Sequence, residues 1–249
     1  MTTYIIAGIA TFGFTTVLTI AGVGAAFILI PVFITLGVDI HEAMATALLL
    51  NSIAMVFASR TFIKRRLVVF KTAIPILLVA TILSPAGAYT STFLSRNILL
   101  WLFVGFLLFA GSMMLFYRAK QKEMDSSSAR LIGCGMGVGS FAGYLGGLLG
   151  VGGGNFIVPV LVWLGFDPKK ASATTAFIVI FSSLSGFFGH ASVGHMNITL
   201  LCITAVGSIT GAILGAWLMG EKMKSRQVKT VIGVILYLIA ARMIWRLLA

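Results

Sequence analysis

Apolar stretches about as long as a membrane-spanning helix recur along this chain, and only short polar breaks separate them. A helix that crosses the hydrocarbon core of a bilayer needs about 20 mostly apolar residues. Only 10% of the 249 residues are charged and 59% are hydrophobic, whereas about a quarter of a soluble domain is charged. A β-barrel would alternate apolar and polar residues, but runs such as 99–108 are continuously apolar. The sequence therefore predicts an all-α polytopic membrane protein.

The chain resembles itself at a shift of 128 residues. Residues 22–46 align without a gap on residues 150–174, and eleven of the 25 aligned pairs are identical. Shared hydrophobicity does not explain matched Pro, Asp and Gly residues, so the pattern indicates a duplication. The identical pairs are Gly22 and Gly150, Val23 and Val151, Gly24 and Gly152, Pro31 and Pro159, Val32 and Val160, Leu36 and Leu164, Gly37 and Gly165, Asp39 and Asp167, Ala43 and Ala171, Ala45 and Ala173, and Thr46 and Thr174.

The duplication divides the chain into a first membrane repeat (1–117), a linker (118–130) and a second membrane repeat (131–249). Each repeat contains about five apolar segments, and the second segment is short in both. That segment is either a full crossing, which gives ten spans, or a re-entrant element, which leaves eight. The segments run roughly over 3–21, 23–37, 43–59, 72–93 and 98–117, and over 131–149, 151–165, 171–189, 198–220 and 228–245.

The distribution of positive charge predicts how the two repeats are oriented. The chain has 18 basic and 6 acidic residues, and the basic residues cluster in short loops, which is typical of cytoplasmic flanks rather than of nucleic-acid binding. Residues 60–71 are basic, but the corresponding loop of the second half, 189–197, has no Lys or Arg. The same element then lies on opposite sides in the two halves. This pattern predicts inverted-topology repeats with a cytoplasmic linker, and five crossings per half explain it most simply.

Glycines interrupt two apolar segments of the second repeat at residues 150–155. Such a run is unfavourable within a helix, and unwound backbone inside a membrane is tolerated where it lines a cavity. Asn155 is expected to cap the next helix, whose positive end favours an anion. The alternative is that these glycines only allow close helix packing. In the first copy, Ala25 and Ala26 replace two of the glycines.

A substrate site is therefore predicted around the two glycine stretches and the polar residues that follow them. Hydroxyl and amide groups at the start of the third segment of each half would complete the hydrogen bonds of an oxyanion. His190 is the candidate for proton coupling, because the six acidic residues fall at segment ends or in the linker. The candidate substrate-binding residues are Gly22, Gly24, Thr46, Asn51, Gly150, Gly152, Gly153, Gly154, Asn155, Thr174 and Thr175.

The sequence offers no pattern that is typical of an enzyme, a cofactor site or a metal site. No cluster of His, Cys and carboxylate residues supplies a nucleophile, a base or metal ligands. The expected partners are a small anionic substrate and the lipid bilayer, and the sequence does not indicate an oligomeric state. An anion carrier and an anion channel would use the same groups, and sequence barely separates them.

The stretch from Gly150 to Pro159, with Leu164, Gly165 and residues 171–175 after it, resembles the TauE/SafE family of sulfite exporters and related transporters. The degenerate copy at 22–46 extends the resemblance over nearly the whole chain. It implies a multi-pass protein of a prokaryotic inner membrane that moves sulfite, sulfonates or related organic anions, often outward. The family's glycine motif carries over onto Gly150, Gly152, Gly153 and Gly154.

Overall fold

The computed structural model describes residues 2–35, 38, 40–90, 96–116, 128–149, 152–191 and 198–248. These residues form ten α-helices and one π-helical turn, so the prediction of an all-α protein is confirmed for them. The helices are α1 (Thr2–Ala21), α2 (Ala26–Thr35), α3 (Ile40–Lys64), α4 (Phe70–Thr90), α5 (Arg96–Phe116), α6 (Ser128–Leu148), α7 (Gly154–Trp163), α8 (Pro168–Ala191), α9 (Ile198–Trp217) and α10 (Ser225–Leu248), with the π-helical turn at Leu218–Lys222 between α9 and α10.

Five of the described helical stretches are long and apolar enough to cross a membrane by length and composition. They are Glu42–Lys64, Phe70–Thr90, Pro168–Gly189, Ile198–Lys222 and Ser225–Trp245. The second segments are different, because α2 and α7 have ten residues each and are therefore about 15 Å long. A span needs about twice that length. A crossing that contains α7 would therefore need the chain on either side of this helix as well, since the ten helical residues alone cover only about half of a span.

Two pairs of parallel helices join the halves of the chain. Small residues let the backbones approach closely in both pairs, since glycines of one helix lie directly on the backbone of the other. In the first pair, α1 and α9, the glycines lie against the partner backbone in the same order along both helices: Gly207 against Gly8, Gly211 against Phe12 and Gly215 against Thr16. The second pair, α4 and α6, has the same order of contacts: Gly139 against Ile76, Gly143 against Ala80 and Gly147 against Ser84. The repeat shift exchanges these two pairs, because α1 corresponds to α6 and α9 to α4.

The repeat mates α3 and α8 pack against each other in antiparallel directions. Near their crossing, the Ser52 hydroxyl donates to the Ile180 carbonyl (2.9 Å), and these two residues are repeat mates. Gly186, further along α8, lies beside Leu48, which comes earlier in α3, so the two helices run in opposite directions. The mates α5 and α10 are also antiparallel, because Gly111 lies beside Tyr237 and Leu115 beside Gly233. Both pairs of repeat mates therefore join the two repeats.

Pro85 interrupts the hydrogen-bond ladder of α4, and the second repeat compensates for it. A proline has no N–H to donate to the carbonyl four residues earlier, which is that of Thr81 here. The Ser185 hydroxyl of α8 donates to that carbonyl instead (2.8 Å). The free carbonyl is therefore satisfied by a side chain that lies 104 positions away in the sequence.

Three basic segments meet at one end of the helix assembly. Arg65, after α3, forms an ion pair with Glu221 of the π-helical turn. Lys169, at the start of α8, donates to the Gly220 carbonyl (2.9 Å). The Val69 N–H donates to the Thr174 hydroxyl (3.0 Å), which holds the loop after α3 against α8. Basic residues from both repeats therefore share this end, which is called the basic end below.

Candidate functional site

The chain leaves the helical conformation at both glycine stretches. Between α1 and α2, Gly22 and Gly24 have φ values of 73° and 74°, and between α6 and α7, Gly152 and Gly153 have values of 75° and 76°. Residues with a side chain rarely adopt this left-handed conformation. Gly150, which the sequence analysis also proposed, lies outside the described residues. Each half thus has a turn made by glycines, followed by a short helix.

The two glycine turns contact each other. A Cβ on Gly154 would lie 2.7 Å from the Val23 carbonyl oxygen and 3.1 Å from Cγ2 of Val179. Gly146 of α6 lies against Gly153, and the Gly152 N–H donates to the Gly146 carbonyl (3.3 Å), so the chain folds back on α6. The N-termini of α2 and α7 therefore converge. Each carries the positive end of a helix dipole, and together they favour a negative charge.

Asn51 of α3 ties the turns together. Its Oδ1 accepts from the Ala25 N–H (3.0 Å), and its Nδ2 donates to the Ser183 hydroxyl (2.9 Å). Asn51 is 1% exposed, so both bonds form away from water. Gly24 and Gly152 flank this amide, and a Cβ on Gly152 would lie 3.3 Å from Nδ2. One buried amide therefore contacts the first turn, the second turn and α8.

A chain of serines extends this network to α4. The Ser182 hydroxyl donates to the Gly152 carbonyl (2.9 Å), and the Ser84 hydroxyl donates to the Ser182 carbonyl (3.1 Å). The candidates proposed from the sequence did not include Ser182, Ser183 or Ser84. No local signal identifies Ser84, because its partner is 98 residues away.

Asn155 is not the cap that the sequence analysis expected. The N-cap of α7 is Gly153, no side chain caps the helix, and Asn155 is its second residue. The cause is the left-handed conformation of Gly153, which starts the helix two residues earlier. The Asn155 side chain is fully buried, and neither its Oδ1 nor its Nδ2 has a hydrogen-bond partner among the described residues. The hydrogen-bonding positions of a buried amide are therefore left for another group.

One face of α8 lines the turns. Ser172 lies against Gly22, Val179 against Gly154 and Ser183 against Gly152. Thr175 falls on the same face by helical spacing. The hydroxyls of Ser172 and Thr175 are buried and have no partner in the described part of the chain. These hydroxyls lie on the α8 face that contacts the glycine turns.

The remaining predicted residues lie elsewhere or are not described. Thr46 is buried in α3 but lies about 140° around the helix from Asn51. Thr174 faces away from Ser183, since nine residues separate them, and it accepts the Val69 N–H at the basic end. His190 belongs to α8, but its side chain lies outside the described residues. The structure therefore brings together Gly22, Gly24, Asn51, Gly152, Gly153, Gly154, Asn155 and Thr175.

The groups that surround this junction are uncharged. Its described polar side chains are amides and hydroxyls: those of Asn51, Asn155, Ser172, Thr175, Ser182 and Ser183. Among the described residues, no three His, Cys, Asp or Glu side chains lie close enough together to hold a metal ion. The junction can therefore donate several hydrogen bonds to a small anion, with the positive ends of two helices compensating its charge.

Replacing Asn51 with Ala is expected to destabilise the fold. The change leaves the buried Ala25 N–H without its acceptor, and an unpaired buried group costs about 1–3 kcal/mol. We expect thermal unfolding of the purified protein in detergent to occur at a lower temperature. Thr210→Ala is the matched control, because the Thr210 hydroxyl is exposed and bonds only within α9 (2.7 Å to the Val206 carbonyl). Equal unfolding temperatures for the two variants would contradict the role assigned to Asn51.

Known proteins resemble the chain over most of its length. Residues 5–243 match the family model "Sulfite exporter TauE/SafE". The probable membrane transporter protein YunE of Bacillus subtilis is 27% identical, over 92% of this chain and 93% of YunE. The probable membrane transporter protein MJ0441 of Methanocaldococcus jannaschii is 26% identical, over 86% of this chain and 85% of that protein. Sulfite exporter TauE/SafE family protein 1 of Arabidopsis thaliana is 35% identical over 74 residues, which are 30% of this chain and 16% of the plant protein.

No solved structure matches the chain. The family model nevertheless covers both repeats and both glycine turns. The relatives that align over most of the chain are described as probable membrane transporters, which agrees with the apolar helices of this structure. The chain belongs to the TauE/SafE family of multi-pass membrane transporters.

Proposed function

We propose that the chain carries small anions across a prokaryotic inner membrane and binds them at the junction of the two glycine turns. The observation that carries this proposal is the buried Asn155 amide, whose two polar atoms have no described partner beside the N-terminus of α7. A buried amide without hydrogen bonds costs about 1–3 kcal/mol, so a protein retains it where a ligand or water completes the bonds. An oxyanion accepts hydrogen bonds from Nδ2 and from hydroxyl and backbone groups at the turn.

The arrangement of the helices supports a carrier built from inverted repeats, 1–117 and 131–249. Two pairs of repeat mates, α3 with α8 and α5 with α10, pack in antiparallel directions, as an inverted duplication requires. The basic end would face the cytoplasm by the positive-inside rule. The glycine turns of the two halves then approach each other from opposite sides of the membrane. Rocking of one repeat against the other would expose the junction to each side in turn.

The proposed substrates are sulfite, sulfonates and related sulfur-containing organic anions, moved outward. The family model and the plant relatives carry the description sulfite exporter, which supports this class of substrate. The uncharged junction favours a single negative charge, because the described residues around it include no cation to offset a second one. A small carboxylate or another oxyanion would fit the same hydrogen-bond donors.

The test is flux of labelled sulfite, and of a panel of small sulfonates, into proteoliposomes that contain the purified protein. We expect flux that saturates with substrate concentration and exceeds that of empty liposomes. A parallel series with an imposed pH gradient measures proton coupling, for which His190 is the proposed titrating group. Phosphate and acetate extend the panel to other oxyanions and carboxylates.

The outcomes separate the alternatives. Saturable flux at carrier rates supports the proposal, and the preferred substrate identifies the anion class. Flux that rises linearly with concentration and reaches channel rates would show a channel that uses the same groups. No flux of any anion in the panel would contradict the proposed function.

A further inference from the structure

An open cleft of about 330 Å³ lies between α3 and α8, on the side of their crossing that faces the basic end. Val56 and Ile63 of α3 and Phe177 and Ile180 of α8 form its apolar walls. Sites for small molecules have volumes of about 300–1,000 Å³ and are mostly apolar, with a few polar groups. The cleft has the size and the wall chemistry of a site for a small molecule.

Three polar side chains of α3 also line this cleft. Arg60 and Lys64 are one helical turn apart, both are exposed, and the lining includes no acidic residue. Ser59 is 2% exposed, and its hydroxyl has no hydrogen-bond partner among the described residues. A serine within a helix ordinarily donates to the carbonyl four residues earlier. Two cations therefore flank the apolar cleft, and an unsatisfied hydroxyl is buried in its wall.

The cations are confined to one end of the α3–α8 pair. The residues that correspond to Ser59, Arg60 and Lys64 in the second repeat are Phe187, Phe188 and Ser192. Because α3 and α8 are antiparallel, Phe187 and Phe188 lie beyond the crossing, towards the opposite end. The charged lining of the cleft therefore has no counterpart in the second repeat.

The cleft is adjacent to the junction of the glycine turns. Ile180 lines the cleft, and its carbonyl accepts from Ser52, the residue after Asn51. Ser183, one turn further along α8, receives the hydrogen bond from Asn51. Hydrogen bonds between α3 and α8 therefore connect the cleft wall to the proposed substrate site.

We propose that this cleft is a second binding site, which collects small organic anions from the basic end before they reach the junction. The inference rests on the proposed function. Arg60 and Lys64 would attract the anionic group, and the apolar walls would contact a short hydrocarbon part. Alkanesulfonates combine both parts, whereas sulfate has only the anionic one. The cleft therefore favours alkanesulfonates over sulfate.

The experiment uses a cysteine at position 63 as a reporter in the full-length protein. Ile63→Cys is made in a background in which Cys134 and Cys202 are replaced by Ala. The rates of modification by an anionic and a cationic methanethiosulfonate reagent are compared in liposomes. We expect the anionic reagent to react faster, and the ratio of the rates to fall about tenfold when Arg60 and Lys64 are both replaced by Gln. Butanesulfonate at millimolar concentration is expected to slow the modification severalfold, and sodium sulfate at equal ionic strength is not.

Two controls accompany this measurement. Arg226→Gln removes an exposed charge that also lies at the basic end but outside the cleft lining, and it should leave the ratio unchanged. Ile82→Cys, at a position that is 72% exposed on α4, should not react, because a cysteine that faces lipid is not reached by charged reagents.

Each result of the labelling decides the proposal. An Ile63→Cys variant that does not react, a ratio that does not depend on Arg60 and Lys64, or equal protection by sulfate and butanesulfonate would overturn it. The labelling does not depend on transport. Charge-dependent labelling without flux would therefore contradict the proposed function alone, and flux without charge-dependent labelling would contradict the cleft alone.

Discussion

Replacing Gly24 or Gly152 with Ala is expected to lower anion flux at least about 30-fold. Both glycines have φ near +75°, where a side chain costs about 1–3 kcal/mol, and about 2 kcal/mol corresponds to about a 30-fold change in an equilibrium. Steric overlap adds to this strain, because the new Cβ would overlap the Asn51 amide at position 24 and the Ser183 hydroxyl at position 152. Both changes displace the hydrogen bonds that hold the turns together. The measurement is initial flux of labelled substrate into proteoliposomes at equal protein content.

Helical glycines elsewhere in the chain provide matched controls. Gly13 in α1 and Gly137 in α6 are exposed, and a Cβ on either would have no described atom within 4 Å. Alanine favours a helix over glycine by about 1 kcal/mol. Gly13→Ala and Gly137→Ala should therefore keep full flux and slightly raise stability. Normal flux in Gly24→Ala and Gly152→Ala would show that the turn geometry does not matter for transport.

The duplication and the membrane class could be predicted because they depend on local sequence. Apolar runs identify spans, and the repeated Gly, Pro and Asp pairs identify corresponding elements at a fixed shift. The break at each glycine stretch was also predictable, since several glycines in a row disfavour a helix. What the sequence did not resolve was how much of the short second segment is helical. In the structure, α7 has only ten residues, because Gly153 caps its start and Leu164 caps its end.

The asymmetry of the site could not be read from the repeat. Each half supplies one amide to the junction, but from helices that do not correspond: Asn51 lies on α3 and Asn155 on α7. Their repeat mates are the apolar residues Val179 and Phe27. In the first turn, Asn51 accepts a hydrogen bond from a backbone N–H. The sequence analysis expected Asn155 to do the same in the second turn, as a helix cap, and it does not. Which amide accepts this hydrogen bond depends on contacts between residues that are far apart in the chain. Such contacts cannot be read from a single sequence.

The contrast between the two amides indicates different roles. Asn51 has described partners on both polar atoms, so its contribution is to the stability of the junction. Asn155 is equally buried, but none of the described residues forms a hydrogen bond with its side chain. A bound group would explain a buried amide whose hydrogen bonds the described residues do not complete. Loss of the amide should therefore lower the stability of the protein at Asn51 but not at Asn155.

Replacing Asn155 with Leu is accordingly expected to lower transport strongly without destabilising the protein. Leucine has a similar size and no polar atoms, so the change removes a desolvation cost of about 1–3 kcal/mol, and the unfolding temperature in detergent should stay equal or rise. Flux should fall at least about tenfold, because the substrate loses hydrogen bonds that water supplies elsewhere. Asn51→Leu is the matched comparison and should lose both stability and flux. If Asn155→Leu instead kept its flux, the amide would not contact the substrate; if it unfolded as readily as Asn51→Leu, the amide would be structural.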